Sequence, residues 1–148
     1  MSRGYRDGDS KRYFDWLYYA ALDLRAAKLL LDDTHCYNMV AFHCQQCAEK
    51  ALKGYLLWRR HRLYDGHNLP FLCKQAMQED EHFRDLLPTA SAINHYYIES
   101  RYPADFLLQL TQETAAKLIV DTNDMLTFIN SLIKFDFSSY HAKKQEPR

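Results

Sequence analysis

Four glycines and four prolines are the only strong backbone breakers in a chain of 148 residues. The long segments between them carry apolar residues three or four apart, the spacing of one helix face, and nowhere sustain the alternation of a strand. The expectation is therefore an all-α chain. A first helix is expected to begin after Asp9 or Ser10, either of which can accept from the orphan N–H groups of a first turn. Its stripe reads Leu17, Ala20, Ala21, Leu24, Ala27 and Leu31, with Asp15, Asp23 and Arg25 on other faces. A second helix is expected from Tyr37 to about His61, with Tyr37, Val40, Ala41, Cys44, Cys47, Ala48, Ala51, Tyr55 and Trp58 as its apolar stripe. Asp65-Gly66 then signals a turn, and Pro70 suits the first turn of a short helix over residues 68–78.

A further element follows with Phe83, Leu86, Leu87, Ala90, Ile93 and Tyr97 on one side, and Pro88 within it either kinks a helix or marks its start. Pro103 biases Tyr102 toward extended backbone, so helix ends near "ESRYPADF". The last helix is expected from about Leu107 to Phe135 on the stripe Leu108, Thr111, Ala115, Leu118, Thr122, Met125, Ile129 and Leu132. "SSYHAKKQEPR" reads as a frayed polar tail. Long helices joined by short loops imply an up-and-down bundle of four to five helices. The domain organisation that follows is a flexible segment at 1–10, the bundle at 11–135 and a polar tail at 136–148.

Nineteen Lys and Arg balance nineteen Asp and Glu, and 47% of residues are hydrophobic against 26% charged. Neutrality argues against binding nucleic acid through bulk charge. No apolar run is long enough to span a membrane. The polar start "MSRGYRDGDSKR" lacks the apolar stretch of a secretory signal, so a cytoplasmic location with free thiols is expected.

Cys44 and Cys47 have the spacing that opens many zinc and redox motifs, and residues three apart do share a helix face. Structural zinc needs four ligands, normally from two such pairs, and Cys36 and Cys73 are isolated in sequence. Both thiols fall on the apolar stripe, where a free cysteine behaves as a small hydrophobe. Core packing is the expectation, with His43 a boundary residue. Opposite them Gln46, Glu49, Lys50 and Lys53 recur three or four apart, a charge pattern that usually marks a solvated helix face.

The same stretch, "FHCQQCAEKALKGYL", resembles the Gln-x-x-Glu-Lys-x-Leu-Lys helix of the HEPN domains (higher eukaryotes and prokaryotes nucleotide-binding). "DGHNLPFLCKQA" is similar to that family's His-x-Leu-x-x-Leu, "YYIESRYP" to its Tyr-x-x-x-Arg-Tyr-Pro, and "WLYYAALDLRAAKLLLDDTHCYN" to its first helix. The resemblance runs from about Tyr13 to Leu132 and implies a four- or five-helix bundle, commonly a dimer. Many members are metal-independent ribonucleases in which an arginine is followed, after four to six residues, by a histidine. Arg101 is the candidate here, but Phe106, Leu107 and Leu108 stand where the histidine would be. Without it the loop does not supply the imidazole that would accept and donate the proton in RNA cleavage.

The Arg-Tyr-Pro branch is similar instead to small HEPN proteins encoded beside minimal nucleotidyltransferases and to modules thought to bind nucleotides. The resemblance thus implies a non-catalytic protein of a toxin–antitoxin type system, with a diverged ribonuclease toxin as the alternative. It implies no metal and no cofactor. The nucleotide-binding residues it suggests are Gln46, Lys50, Lys53, His67, Tyr97, Arg101 and Tyr102. The lysines and Arg101 would meet phosphate oxygens, and the tyrosines would stack on a base. Arg101 could equally form a buried ion pair with Glu49. The expected partners are a second copy of the chain, a nucleotidyltransferase and a nucleotide. Trp16, Tyr18, Tyr19, Tyr96 and Tyr97 add aromatic surface beyond what one core of this size readily hides, which points to an interface.

Overall fold

The structure, a computed structural model, describes residues 8–100 and 110–146, with side chains described for 8–96 and 110–146. Arg101, Tyr102 and the positions 106–108 lie outside the described residues, as does the Tyr97 side chain. Every regular element among the described residues is helical: α1 Tyr13–Leu30, α2 Tyr37–Arg60, α3 Leu69–Met77, a 3-10 segment Glu81–Leu86, α4 Leu87–Ser100, α5 Gln112–Ile133, a 3-10 turn Phe137–Ser139 and α6 Tyr140–Lys144. The expected helical bundle is what forms. No helix is long and apolar enough to cross a membrane among the described residues.

Helix α2 is the axle, packed against α1, α3, α4 and α5. Its neighbours surround it, and this explains why its buried set includes Cys44, Cys47, Ala48, Ala51, Leu52 and Leu56 together with polar residues on the far side. The short link after Leu30 sends α2 back antiparallel along α1, and the two approach most closely at Gly54. A Cβ there would sit 3.1 Å from Leu17 Cδ2, 3.2 Å from Trp16 Cβ and 3.3 Å from the Tyr13 carbonyl oxygen. Leu17, Leu52, Leu56, Phe83, Ile93, Met125 and Ile129 are fully buried, each worth about 1.5–3 kcal/mol relative to exposure.

Local chemistry sets the ends. Asn68 caps α3 by accepting from the Phe71 N–H, with Pro70 in the first turn as expected. His61 (φ 57°) and Lys134 (φ 61°) close α2 and α5 in the left-handed conformation. Pro88 is the second residue of α4 and therefore starts that helix, where its missing N–H costs no bond. Three boundaries differ from the sequence reading. Helix α1 begins at Tyr13 with Arg12 as its N-cap, and the Ser10 hydroxyl, which donates to Asp15, accepts from the Arg12 N–H just ahead of the first turn. The last helix begins at Gln112, where the Thr111 side chain accepts from the Thr114 N–H, so Thr111 is a cap and not a stripe residue. The segment after Phe135 does not fray. Tyr140 is buried, and Tyr18 stacks on it with ring centroids 3.8 Å apart and on Phe137 at 4.8 Å.

Candidate functional site

Gln45, Glu49 and Lys53 follow one another at four-residue steps and so lie along one face of α2. Along that face Glu49 is only 5% and Lys53 only 2% exposed. Of the charge pattern expected to be a solvated face, Glu49 and Lys53 are thus internal and form a polar line with Gln45, while Gln46 and Lys50 are half-buried. It is satisfied from end to end. The Gln45 amide donates to Glu49 Oε1 and to the His67 carbonyl oxygen, both at 3.1 Å. Lys53 Nζ donates to Glu49 Oε2 at 3.1 Å, and His67 Nδ1 lies 2.6 Å from Glu49 Oε1. An ionised carboxylate can only accept, so this last contact puts a proton on Nδ1. Gln46 extends the line by donating to Gln45 Oε1 at 2.7 Å.

Beside this line opens a cleft of about 630 Å³ between α1, α2 and α6, bordered by Trp16, Tyr19, Gln46, Glu49, Lys50, His67, Tyr140 and Lys144. Its opposite wall is organised by Asp15, only 5% exposed. Asp15 accepts from Lys144 Nζ at 2.8 and 2.9 Å, from the Tyr140 hydroxyl at 2.5 Å and from the Ser10 hydroxyl at 2.5 Å. Burial alone would raise its pKa. The hydrogen bonds from Lys144, Ser10 and Tyr140 and the Lys144 charge outweigh that and hold it below the ordinary carboxylate value. Burial, and next the hydrogen bond to Asp15, push the Tyr140 hydroxyl well above the usual phenol range. On α1, Asp23 joins two residues of α2, accepting from Lys50 Nζ at 2.5 Å and meeting His43 Nδ1 at 2.9 Å. The Lys50 and Lys144 ammonium groups and the His67 ring are therefore each in contact with a carboxylate. An anionic ligand in this cleft would have to exchange for Asp23, Asp15 or Glu49.

Of the residues the sequence singled out, Gln46, Lys50 and His67 meet in this cleft. Lys53 lies beneath it, joined to it through Glu49. Arg101, Tyr102 and the Tyr97 side chain fall outside the described residues, and Glu49 has Lys53, His67 and Gln45 as its partners among the described ones. Sequence reasoning missed Asp15, Trp16, Tyr140 and Lys144. Asp15 was expected on a polar face, but α6 folds back over it from 125 residues further along the chain. No local signal announces that contact. Tyr18 was counted as surplus aromatic surface, yet Tyr140 and Phe137 take it up, whereas Tyr19 remains 54% exposed.

Cys44 and Cys47 are fully buried in the core, as expected of packed thiols. Desolvation pushes the Cys44 thiol up to about 12 and that of Cys47 well above its ordinary value, which leaves both as unreactive thiols at neutral pH. His43 sits at the core boundary with its ring against Asp23.

Comparison with known proteins agrees with the helical fold. In the curated set the chain is 29% identical over 126 residues to the protein named "Putative toxin MJ1304" of Methanocaldococcus jannaschii, covering 76% of this chain and 82% of that one. Among solved structures it superposes on TT1696 from Thermus thermophilus with a TM-score of 0.72 at 28% identity, over 82% of this chain and 98% of that one. It also superposes on ST0689, described as an archaeal HEPN homologue, with a TM-score of 0.64 at 27% identity, over 84% of this chain and 99% of that one. The profile of the HEPN domain matches residues 13–132, nearly the whole helical bundle, and the chain therefore belongs to the HEPN domain family.

Proposed function

We propose that this chain is a non-catalytic HEPN protein of a toxin–antitoxin type system, which pairs with itself, associates with a minimal nucleotidyltransferase and holds a nucleotide in the cleft between α1, α2 and α6. The observation that carries the ligand assignment is the meeting of Gln46, Lys50 and His67 beside the rings of Trp16 and Tyr140. Aromatic faces suit a base, and the Lys50 ammonium suits phosphate oxygens once Asp23 is exchanged for them. The name of the archaeal relative supports the toxin–antitoxin setting. The lack of a histidine at positions 106–108 supports the non-catalytic reading. Calorimetric titration with AMP and ATP is the test, with Lys50→Ala expected to weaken binding about tenfold for one lost charge-assisted contact. Absence of heat with either nucleotide at millimolar concentration would remove the nucleotide from the proposal. Light scattering is expected to give twice 17.6 kDa, and co-expression with a nucleotidyltransferase is expected to yield a complex.

A second reading, the diverged ribonuclease, has one observation in its favour. The Glu49–His67 contact orients an imidazole at the cleft in the way a carboxylate supports a general base. Metal-independent RNA cleavage that disappears in His67→Ala would establish it in place of the first.

A further inference from the structure

A second cleft, of about 700 Å³, lies at the end of the α1–α2 hairpin where Lys11, Tyr13, Leu57, Trp58, His61, Arg62 and Leu63 come together. It shares no residue with the cleft described above. Its character is also different. Three side chains that can carry positive charge stand among two aromatic rings and two leucines, and none of the residues bordering it is a carboxylate. The Arg62 guanidinium is held 4.5 Å from the centroid of the Tyr64 ring, and neither Arg62 nor His61 has a carboxylate within ion-pair distance among the described residues. A fourth cation, Lys143 of α6, lies 5.8 Å from the centroid of the Tyr13 ring. On the first cleft Lys50 and Lys144 are paired with aspartates, whereas here the charge of Arg62 faces a ring.

We infer that this cleft is a binding site for a small organic anion with a flat apolar body, such as an aryl carboxylate, sulfonate or phosphate. The body lies on Trp58, Leu57 and Leu63, and the anionic group meets Arg62, with Lys11 and His61 adding to the field. Chemistry of both kinds is required. An apolar wall alone would take a neutral aromatic equally well, and exposed cations alone would take inorganic phosphate. The two together favour a ligand that joins the features, because a guanidinium beside an apolar wall is less hydrated and binds an oxyanion more strongly than one in open water. The site is independent of the nucleotide reading, since a nucleotide in the first cleft would neither need nor block it.

Trp58 borders this site and Trp16 the first cleft, so tryptophan emission reports binding and the variants assign the cleft. The full-length protein is titrated with 8-anilino-1-naphthalenesulfonate, with energy transfer from tryptophan as the readout, and in parallel with the uncharged N-phenyl-1-naphthylamine and with inorganic phosphate as a competitor. Saturable binding of one sulfonate per chain is expected, with the uncharged analogue about tenfold weaker and phosphate a poor competitor. Arg62→Ala and Lys11→Ala, both at exposed positions, are expected to weaken the sulfonate several-fold while circular dichroism stays that of the wild type. Lys117→Ala, an exposed lysine on α5, is expected to leave the affinity unchanged. Equal affinity for the charged and uncharged probes would overturn the inference, as would full affinity in Arg62→Ala. Loss of binding in Lys50→Ala would put the probe in the other cleft and overturn it as well.

Discussion

Glu49 holds the interior polar line together, and its removal gives the sharpest prediction. Glu49→Ala deletes the acceptor of Lys53, Gln45 and His67 at once. Gln45 keeps the His67 carbonyl oxygen as a partner, and the partly exposed His67 ring can reach water. Lys53, at 2% exposure, cannot, so it is left as a buried ammonium without an anion. Breaking a buried pair from one side costs about 3–5 kcal/mol. For a chain of this size that corresponds to a fall in Tm on the order of 10 °C. Lys53→Met should cost less, about 1–3 kcal/mol, because Glu49 keeps two donors. The double variant Glu49→Leu/Lys53→Met should recover most of the loss, since it leaves no unpaired charge. Urea denaturation of the four proteins, followed by far-ultraviolet circular dichroism, measures these costs. If Glu49→Ala cost under about 1 kcal/mol, the value of an exposed pair, Lys53 would have to reach water and the buried line would be refuted.

Three further outcomes are expected. Gly54→Ala gains roughly 1 kcal/mol of helix propensity but pushes a methyl against Leu17, Trp16 and the Tyr13 carbonyl, so a net loss of about 1 kcal/mol should appear in the same denaturation assay, and a stabilised variant would contradict the close α1–α2 approach. Replacing both Cys44 and Cys47 by Ala should cost about 1–3 kcal/mol in total while leaving helicity intact, and in the native protein a thiol reagent should label Cys36 ahead of the buried Cys44, Cys47 and Cys73. Asp15 has a lowered pKa in the folded state, so its contribution is complete above the ordinary carboxylate range and is lost as pH falls through the folded value. Protection against hydrogen exchange in residues 137–144 should therefore fall below about pH 4, and Asp15→Asn should lack that protection already at about pH 7; wild-type protection of the variant at about pH 7 would separate the tail from Asp15.

The sequence by itself determined the helices, most of their faces and the family. Breaker scarcity and the three-to-four spacing locate α1, α2, α3 and α5 to within a few residues, because helix formation and the burial of one stripe are local consequences of residue order. The cysteines were legible for the same reason, as members of a stripe. What only the tertiary structure decided is how many sides of a helix are covered. A stripe reveals one apolar face, but α2 is enclosed by four neighbours, and Glu49 and Lys53, an apparent surface in the sequence, join Gln45 in a buried network. Pro88 likewise left two readings open, and the 3-10 segment ahead of it fixed one. The cleft wall was least legible of all. Asp15 and Tyr140 stand at opposite ends of the chain, each unremarkable among its sequence neighbours, and their hydrogen bond exists only because the bundle returns the end of α5 to the start of α1. Contacts over that separation follow from packing of the whole chain, and no local period encodes them.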